Sequence, residues 1–340
     1  MKQMKTSKLI PALTLTFMIL LFIVSYFRAS FLVQKSEKEL NPKKQIDEAQ
    51  AKKYSLREID GKTGQLRWEL TAEEGTTQND LQTALIKDIK ANVYKNNEVI
   101  YELSAPQAKA NAITKEIYLI GEVTAKDKNG NFTLSSNQLA LGMGTSIEAK
   151  KGFKLFLKNS GDVSGDNALI NDDQTKIIVK DLQEALFKDI ILSGKNVSIE
   201  RDTKGDLINV VISNGGKIIL KNSKNDTLSA TTIKWKQGGE IEAVSDVIYT
   251  SLDKTFKAGY LLLKPDGKVY AKDNVLIVHG NTRCYGNSLS YENNSLVVIS
   301  GKSKAIQGDK QITADKIVYD LNTDKVEAVG NVRTTVTNKA

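Results

Sequence analysis

Few residues in this sequence have the types that carry chemistry. Among 340 residues there is one histidine, His279, and one cysteine, Cys284. A single cysteine excludes an internal disulfide, and one of each excludes a Cys/His zinc cluster. His279 ends the apolar run Val275-Leu276-Ile277-Val278 and reads as a strand end. No partner nucleophile or second ligand accompanies it, so its expected role is structural. Cys284 reads as an inert thiol at a corner of the chain. Gly61-Lys62-Thr63 has the ending of a phosphate-binding loop, but Leu56 stands where that motif needs its first glycine and no helical pattern follows. A hairpin turn is the expectation there. The acidic residues are scattered at turns with no recurrent spacing for a paired-carboxylate site. The GGxGxD calcium repeat is absent. The expectation is therefore no catalytic residue, no metal site and no cofactor. Function must come from shape and from apolar surface.

The apolar surface is periodic. Small residues recur at Ala105, Ser136, Gly165, Gly194, Ala230, Ala258, Gly286 and Ala314, at spacings of 31, 29, 29, 36, 28, 28 and 28. Three and five residues after each stands an apolar pair. The pairs are Ala108/Ala110, Leu139/Leu141, Ala168/Ile170, Val197/Ile199, Ile233/Trp235, Leu261/Leu263, Leu289/Tyr291 and Ile317/Tyr319. Alternation with period two marks strands with one buried face. Turn chemistry follows, as in Pro265-Asp266-Gly267 and Asn322-Thr323-Asp324, and a second strand returns. After Ala105 and Ala314 the return carries a glycine sixteen residues on, Gly121 and Gly330. Each unit is thus strand, turn, strand, corner, with the small residue at the bend. Further strands precede the repeat at 54–59, 65–70, 84–94 and 99–103. A unit of this kind cannot cover its own apolar face and must stack on its neighbours. The expected fold is all-β, an elongated V-shaped jelly roll of about twenty antiparallel strands.

The N-terminus is different. Residues 9–27 are nineteen residues without a charge, long enough at about 1.5 Å each to cross a hydrocarbon core. No small-x-small cleavage site follows convincingly, so an uncleaved transmembrane helix is expected, with the N-terminus in the cytoplasm. The formal charge of +8 resides mainly in residues 1–53, whose ten Lys/Arg face four Asp/Glu. The rest is close to neutral, which disfavours nucleic-acid binding. The expected segments are a cytoplasmic tail (1–8), the anchor (9–27), a charged tether (28–53) and two β regions, 54–190 and 191–340, in one continuous stack.

An anchor, a charged tether, and then Tyr54-Ser55-Leu56 through Gly130-Asn131-Phe132-Thr133-Leu134-Ser135-Ser136 and Val163-Ser164-Gly165-Asp166 resemble the LptC family, the anchored periplasmic component of lipopolysaccharide export. Gln311-Ile312-Thr313-Ala314-Asp315-Lys316-Ile317-Val318-Tyr319 with Val329-Gly330-Asn331-Val332 resembles the LptA/OstA repeat. The resemblance implies a β-jelly roll (β-taco) whose interior shelters the acyl chains of lipid A. It implies an inner-membrane location with the body in the periplasm, and no catalysis by this chain. It also implies partners: inner-membrane ABC transporter permeases at one end, and an LptA-like or outer-membrane translocon jelly roll at the other. Ile317 and Tyr319 are the lipid-facing positions it implies most directly, with Leu289 and Tyr291 following through the repeat. The same stripe extends the expected lipid groove to Leu139, Leu141, Ile170, Val197, Ile199, Ile233, Trp235, Leu261 and Leu263. The last strand, with Val326, Ala328, Val329 and Val332, is the expected docking edge, because only a few residues follow to cover it. Two alternatives stand beside this reading: a bridge for another amphiphile such as phospholipid, and a ligand-free structural or adhesive β-solenoid.

Overall fold

The structure, a computed structural model, describes residues 50–336 except 78–82, 112, 115, 142–144, 222–224 and 293–294. The expected anchor and most of the tether, up to residue 49, lie outside the described residues. Among the described residues no helix is long and apolar enough to cross a membrane.

Every element among the described residues is a strand. In chain order they are β1 (Gln50–Ile59), β2 (Leu66–Thr77), β3 (Thr83–Lys95), β4 (Glu98–Asn111), β5 (Ile117–Asp127), β6 (Phe132–Leu141) and β7 (Ile147–Leu157). Then come β8 (Gly161–Ile170), β9 (Lys176–Phe187), β10 (Ile190–Arg201), β11 (Leu207–Leu220), β12 (Thr227–Ala230), β13 (Thr232–Lys236) and β14 (Ile241–Ser251). The last are β15 (Lys254–Leu263), β16 (Val269–His279), β17 (Thr282–Tyr291), β18 (Leu296–Gln307), β19 (Lys310–Asp320), β20 (Lys325–Val329) and β21 (Arg333–Val336). Successive strands pair antiparallel in a single sheet. The ladder is unbroken from β9 to β10 to β11. It is interrupted where β12 and β13 share one rung between β11 and β14, and again where β20 and β21 share the outer side of β19.

Hairpin connections do what Gly, Asn and Asp at their positions permit. Asp60 Oδ1 accepts from the backbone N–H groups of Lys62 and Thr63 at 2.7 and 2.9 Å, which makes Gly61-Lys62-Thr63 an Asx-type hairpin turn.

The corners explain the repeat. Midway along the strands the register shifts, for example between Ser136/Gln138, Ala149/Phe153, Lys257/Tyr260 and Ser300/Ser303. On β6 buried residues step by three across the corner, Ser136 to Leu139; on β7 they step by four, Ala149 to Phe153. Such bulges bend the sheet while keeping the apolar side chains on one face. The position sixteen residues after a small anchor has positive φ throughout most of the repeat: Gly121 (98°), Gly152 (92°), Asp181 (53°), Asp246 (53°), Asn274 (57°), Lys302 (52°) and Gly330 (76°). In the unit starting at Gly194 this feature lies further on, at Asn214 (64°) and Gly215 (100°), which accounts for part of the 36-residue step. The anchors themselves are small for contact reasons. A Cβ on Gly286 would sit 2.4 Å from Ile299 Cγ2, and one on Gly194 2.5 Å from Ile212 Cγ2.

Candidate functional site

The bend turns the inward face of the sheet into a continuous apolar interior. Leu139, Ile170, Ile199, Ile233, Leu261, Ile317 and Tyr319 are fully buried there. Leu141, Val197, Trp235, Leu263 and Leu289 are also buried, and Tyr291 is half-buried and packed against the same cluster. The structure thus brings the expected groove residues to one face. Return-strand residues line it too, among them Phe153, Leu155, Val179, Val247, Val275 and Ile277. The three-and-five spacing did not point to these; period-two parity counted onward from the positive-φ corner finds them. Cys284 lies in β17, two residues ahead of the corner at Gly286, and faces this interior. Burial, with the charge of Asp324, pushes its thiol up to about 12. That keeps the thiol protonated, and it lies beside the expected corner and not at it.

The strands alternate in direction, so their turns form two rows at opposite ends of the sheet. Residues from opposite rows nevertheless touch. Lys95 Nζ donates to the Asp172 carbonyl at 3.1 Å. Arg201 Nη2 donates to the Asn131 carbonyl at 3.4 Å. The rings of Phe187 and Trp235 stack with centroids 5.6 Å apart. These contacts require the sheet to fold over its apolar face, with the turn rows meeting as a seam.

Two seam contacts are elaborate. In one, His279 Nδ1 is 2.6 Å from the Tyr319 hydroxyl, which donates to Asp324 Oδ1 at 2.5 Å. Thr282 Oγ1 donates to the same carboxylate oxygen at 2.9 Å, and Gln307 Nε2 to Oδ2 at 2.9 Å. His279 Nε2 reaches Asp253 Oδ2 at 2.9 Å. The hydrogen bond from Tyr319, with those from Thr282 and Gln307, holds the Asp324 carboxyl below its ordinary range. Burial and the Asp324 charge push the Tyr319 hydroxyl far up. In the other, Tyr101, Asp127 and Arg201 are all buried.

Between these two contacts the seam parts into an open cleft of about 400 Å³. Asp189, Ile190, Leu220 and Lys221 stand on one side, and Trp235, Gly239, Leu263 and Lys264 on the other.

Among the described residues no group of three or more His, Cys, Asp or Glu is placed to hold a metal ion. The expected single last strand is two, β20 and β21, and Val332 lies between them in neither; Val326 and Ala328 are half-buried against the core, whereas Val329 and Val332 are more than half exposed.

The arrangement is that of an antiparallel β stack with an apolar interior closed by a seam of turns. Residues 14–147 match the family described as lipopolysaccharide-assembly, LptC-related. The chain is LptC-like over that stretch, which runs through β1 to β6 and ends at the first residue of β7. Among solved structures, the chain is similar to LptH, the LptA-homologous periplasmic component of the lipopolysaccharide transport device of Pseudomonas aeruginosa. That similarity has 18% identity and a TM-score of 0.32, and covers 34% of this chain and 96% of the other. No curated protein matches the chain.

Proposed function

We propose that this protein is a non-catalytic periplasmic bridge component that shelters lipopolysaccharide acyl chains in its β interior. It would be anchored in the inner membrane by residues 9–27, with the LptC-like region at 54–190 followed by an LptA-like region at 191–340. The observation that carries this reading is the LptC-related match on strands whose apolar interior continues without a gap to Tyr319. An amphiphile crossing water gains about 0.8 kcal/mol per sheltered CH₂, and this interior offers such shelter along the whole ladder. An ABC transporter in the inner membrane would load it. The half-exposed C-terminal edge, with Val326, Ala328, Val329 and Val332, would recruit the next jelly roll by strand addition.

A second reading has its own support. The stripe is completely buried at Leu139, Ile199, Ile317 and Tyr319, as in a ligand-free solenoid. In the transport reading, acyl chains enter when the seam opens beyond the cleft already there.

Strand parity separates the two. A photo-crosslinker at Leu289, Tyr291, Ile317 or Tyr319 captures lipopolysaccharide in an ATP-dependent manner in cells, and one at Ser290 or Val318 does not. Lipid adducts at neither set favour the solenoid. Adducts of phospholipid alone favour the other-amphiphile reading.

A further inference from the structure

Asp253, His279, Tyr319 and Asp324 form a chain of contacts whose geometry fixes its proton count. Asp324 accepts from three side chains: Tyr319 Oη at 2.5 Å and Thr282 Oγ1 at 2.9 Å on Oδ1, and Gln307 Nε2 at 2.9 Å on Oδ2. A carboxyl that accepts three donors carries no proton of its own, and the hydrogen bond from Tyr319 holds it low. A tyrosine hydroxyl has one proton. That of Tyr319 goes to Asp324, so its oxygen can only accept from His279 Nδ1, 2.6 Å away. On the other side of the ring, Nε2 is 2.9 Å from Asp253 Oδ2. Asp253 lies in an exposed turn with Lys254 Nζ 3.6 Å from its Oδ1, and as a carboxylate it too can only accept. Both ring nitrogens therefore donate, and a histidine that donates from both is the imidazolium.

A neutral ring breaks the chain whichever nitrogen is bare. A bare Nε2 sets its lone pair against Asp253. A bare Nδ1 turns the Tyr319 proton back from Asp324, which then keeps two donors. The charged groups around the ring are Asp253 from the β14–β15 turn, Lys254 from β15, which is the register partner of His279, and Asp324 from the turn after β19. Cys284 in β17 is a thiol that keeps its proton. The chain of contacts spans the seam, because Asp253 and His279 belong to one row of turns and Asp324 to the other. We infer that the C-terminal end of the seam is a proton-operated latch, closed when His279 is protonated on both nitrogens and loosened when the ring gives one proton to solvent. The latch concerns closure of the seam and holds whatever the interior carries. Its closed form binds one proton that the open, neutral ring lacks. Opening is therefore favoured as pH rises, by at most about tenfold per pH unit.

Cys284 reports the opening. It is the only cysteine in the chain, is fully buried, and follows Thr282 by two residues in β17. The full chain in detergent is treated with iodoacetamide between about pH 5 and 8, the span over which histidines titrate, and adducts are followed by intact mass. Dividing each rate by that of a free cysteine peptide at the same pH removes the reactivity of the thiolate itself. The expected normalised rate rises by about tenfold across that span. In His279→Gln, which has no titrating ring, it does not change with pH. In Asp253→Asn, which alters an exposed turn residue, the rise sets in at lower pH. A thermal melt shows whether the variants fold, and Asp253→Asn decides where His279→Gln does not fold. A flat normalised rate in the wild type, or no labelling at any pH, overturns the latch. A variant that labels faster yet keeps the wild-type rise also overturns it, since a merely structural contact would behave that way.

Discussion

Two places where the turn rows meet solve the same problem in opposite ways. At the C-terminal one, Tyr319, Asp324, Thr282, Gln307 and His279 bond one another across the seam. At the N-terminal one, Tyr101, Asp127 and Arg201 are equally buried, yet each leaves one atom uncommitted. Both sit at the mouth of the same apolar interior. A fully satisfied polar network rigidifies, whereas a partly satisfied one contributes less. The first therefore reads as a clasp, and the second as a weaker contact.

Four measurements test that contrast, from the largest effect down. Arg201→Ala removes the bonds to Gly205 and Asn131 and leaves Asp127 buried without its neighbouring cation. It should cost about 3 kcal/mol in urea unfolding. Tyr319→Phe deprives Asp324 of a donor and His279 of one of its two partners, and should cost about 1.5 kcal/mol by the same measurement. A loss below ~0.5 kcal/mol would mean that the clasp is decorative.

The third measurement is pH dependence. The Asp324 carboxyl is held low in the folded protein, so its contribution is present above the unfolded value of about 3.9 and lost as pH falls below it toward the folded value. Acid unfolding of Tyr319→Phe should therefore show a shallower fall below about pH 4 than the wild type. Identical slopes would show that the hydrogen bond is not what holds the carboxyl low. The smallest effect is expected at the other place. Tyr101→Phe removes a hydroxyl without a well-formed hydrogen bond among the described residues, and the protein should stay within about 0.5 kcal/mol of wild type. A cost like that of Tyr319→Phe would erase the distinction between the two places.

The amino-acid order alone determines much of this molecule. Alternation at Leu289-Ser290-Tyr291 and Ile317-Val318-Tyr319 marks strands with one buried face, because side chains in a strand point to opposite sides in turn. The recurrence of small residues every 28 or so locates the corners, since only small side chains fit where Ile299 and Ile212 approach Gly286 and Gly194. The positive-φ corners at Asp181, Asp246, Asn274 and Lys302 were less legible, because Asp, Asn and Lys also occur in many other settings.

What meets across the seam could not be read at all. Tyr101 and Arg201 are a hundred residues apart, as Arg201 and Asn131 are seventy apart, and no local pattern links them. Their approach follows from the bend that the bulges impose, added up over the strands between. His279 looked like a solitary strand end for the same reason: its partner Tyr319 lies three strands further along the ladder. Local side-chain chemistry sets the strand and the corner. Only the accumulated curvature of the folded sheet decides which turns face each other, and so which polar atoms meet across the seam.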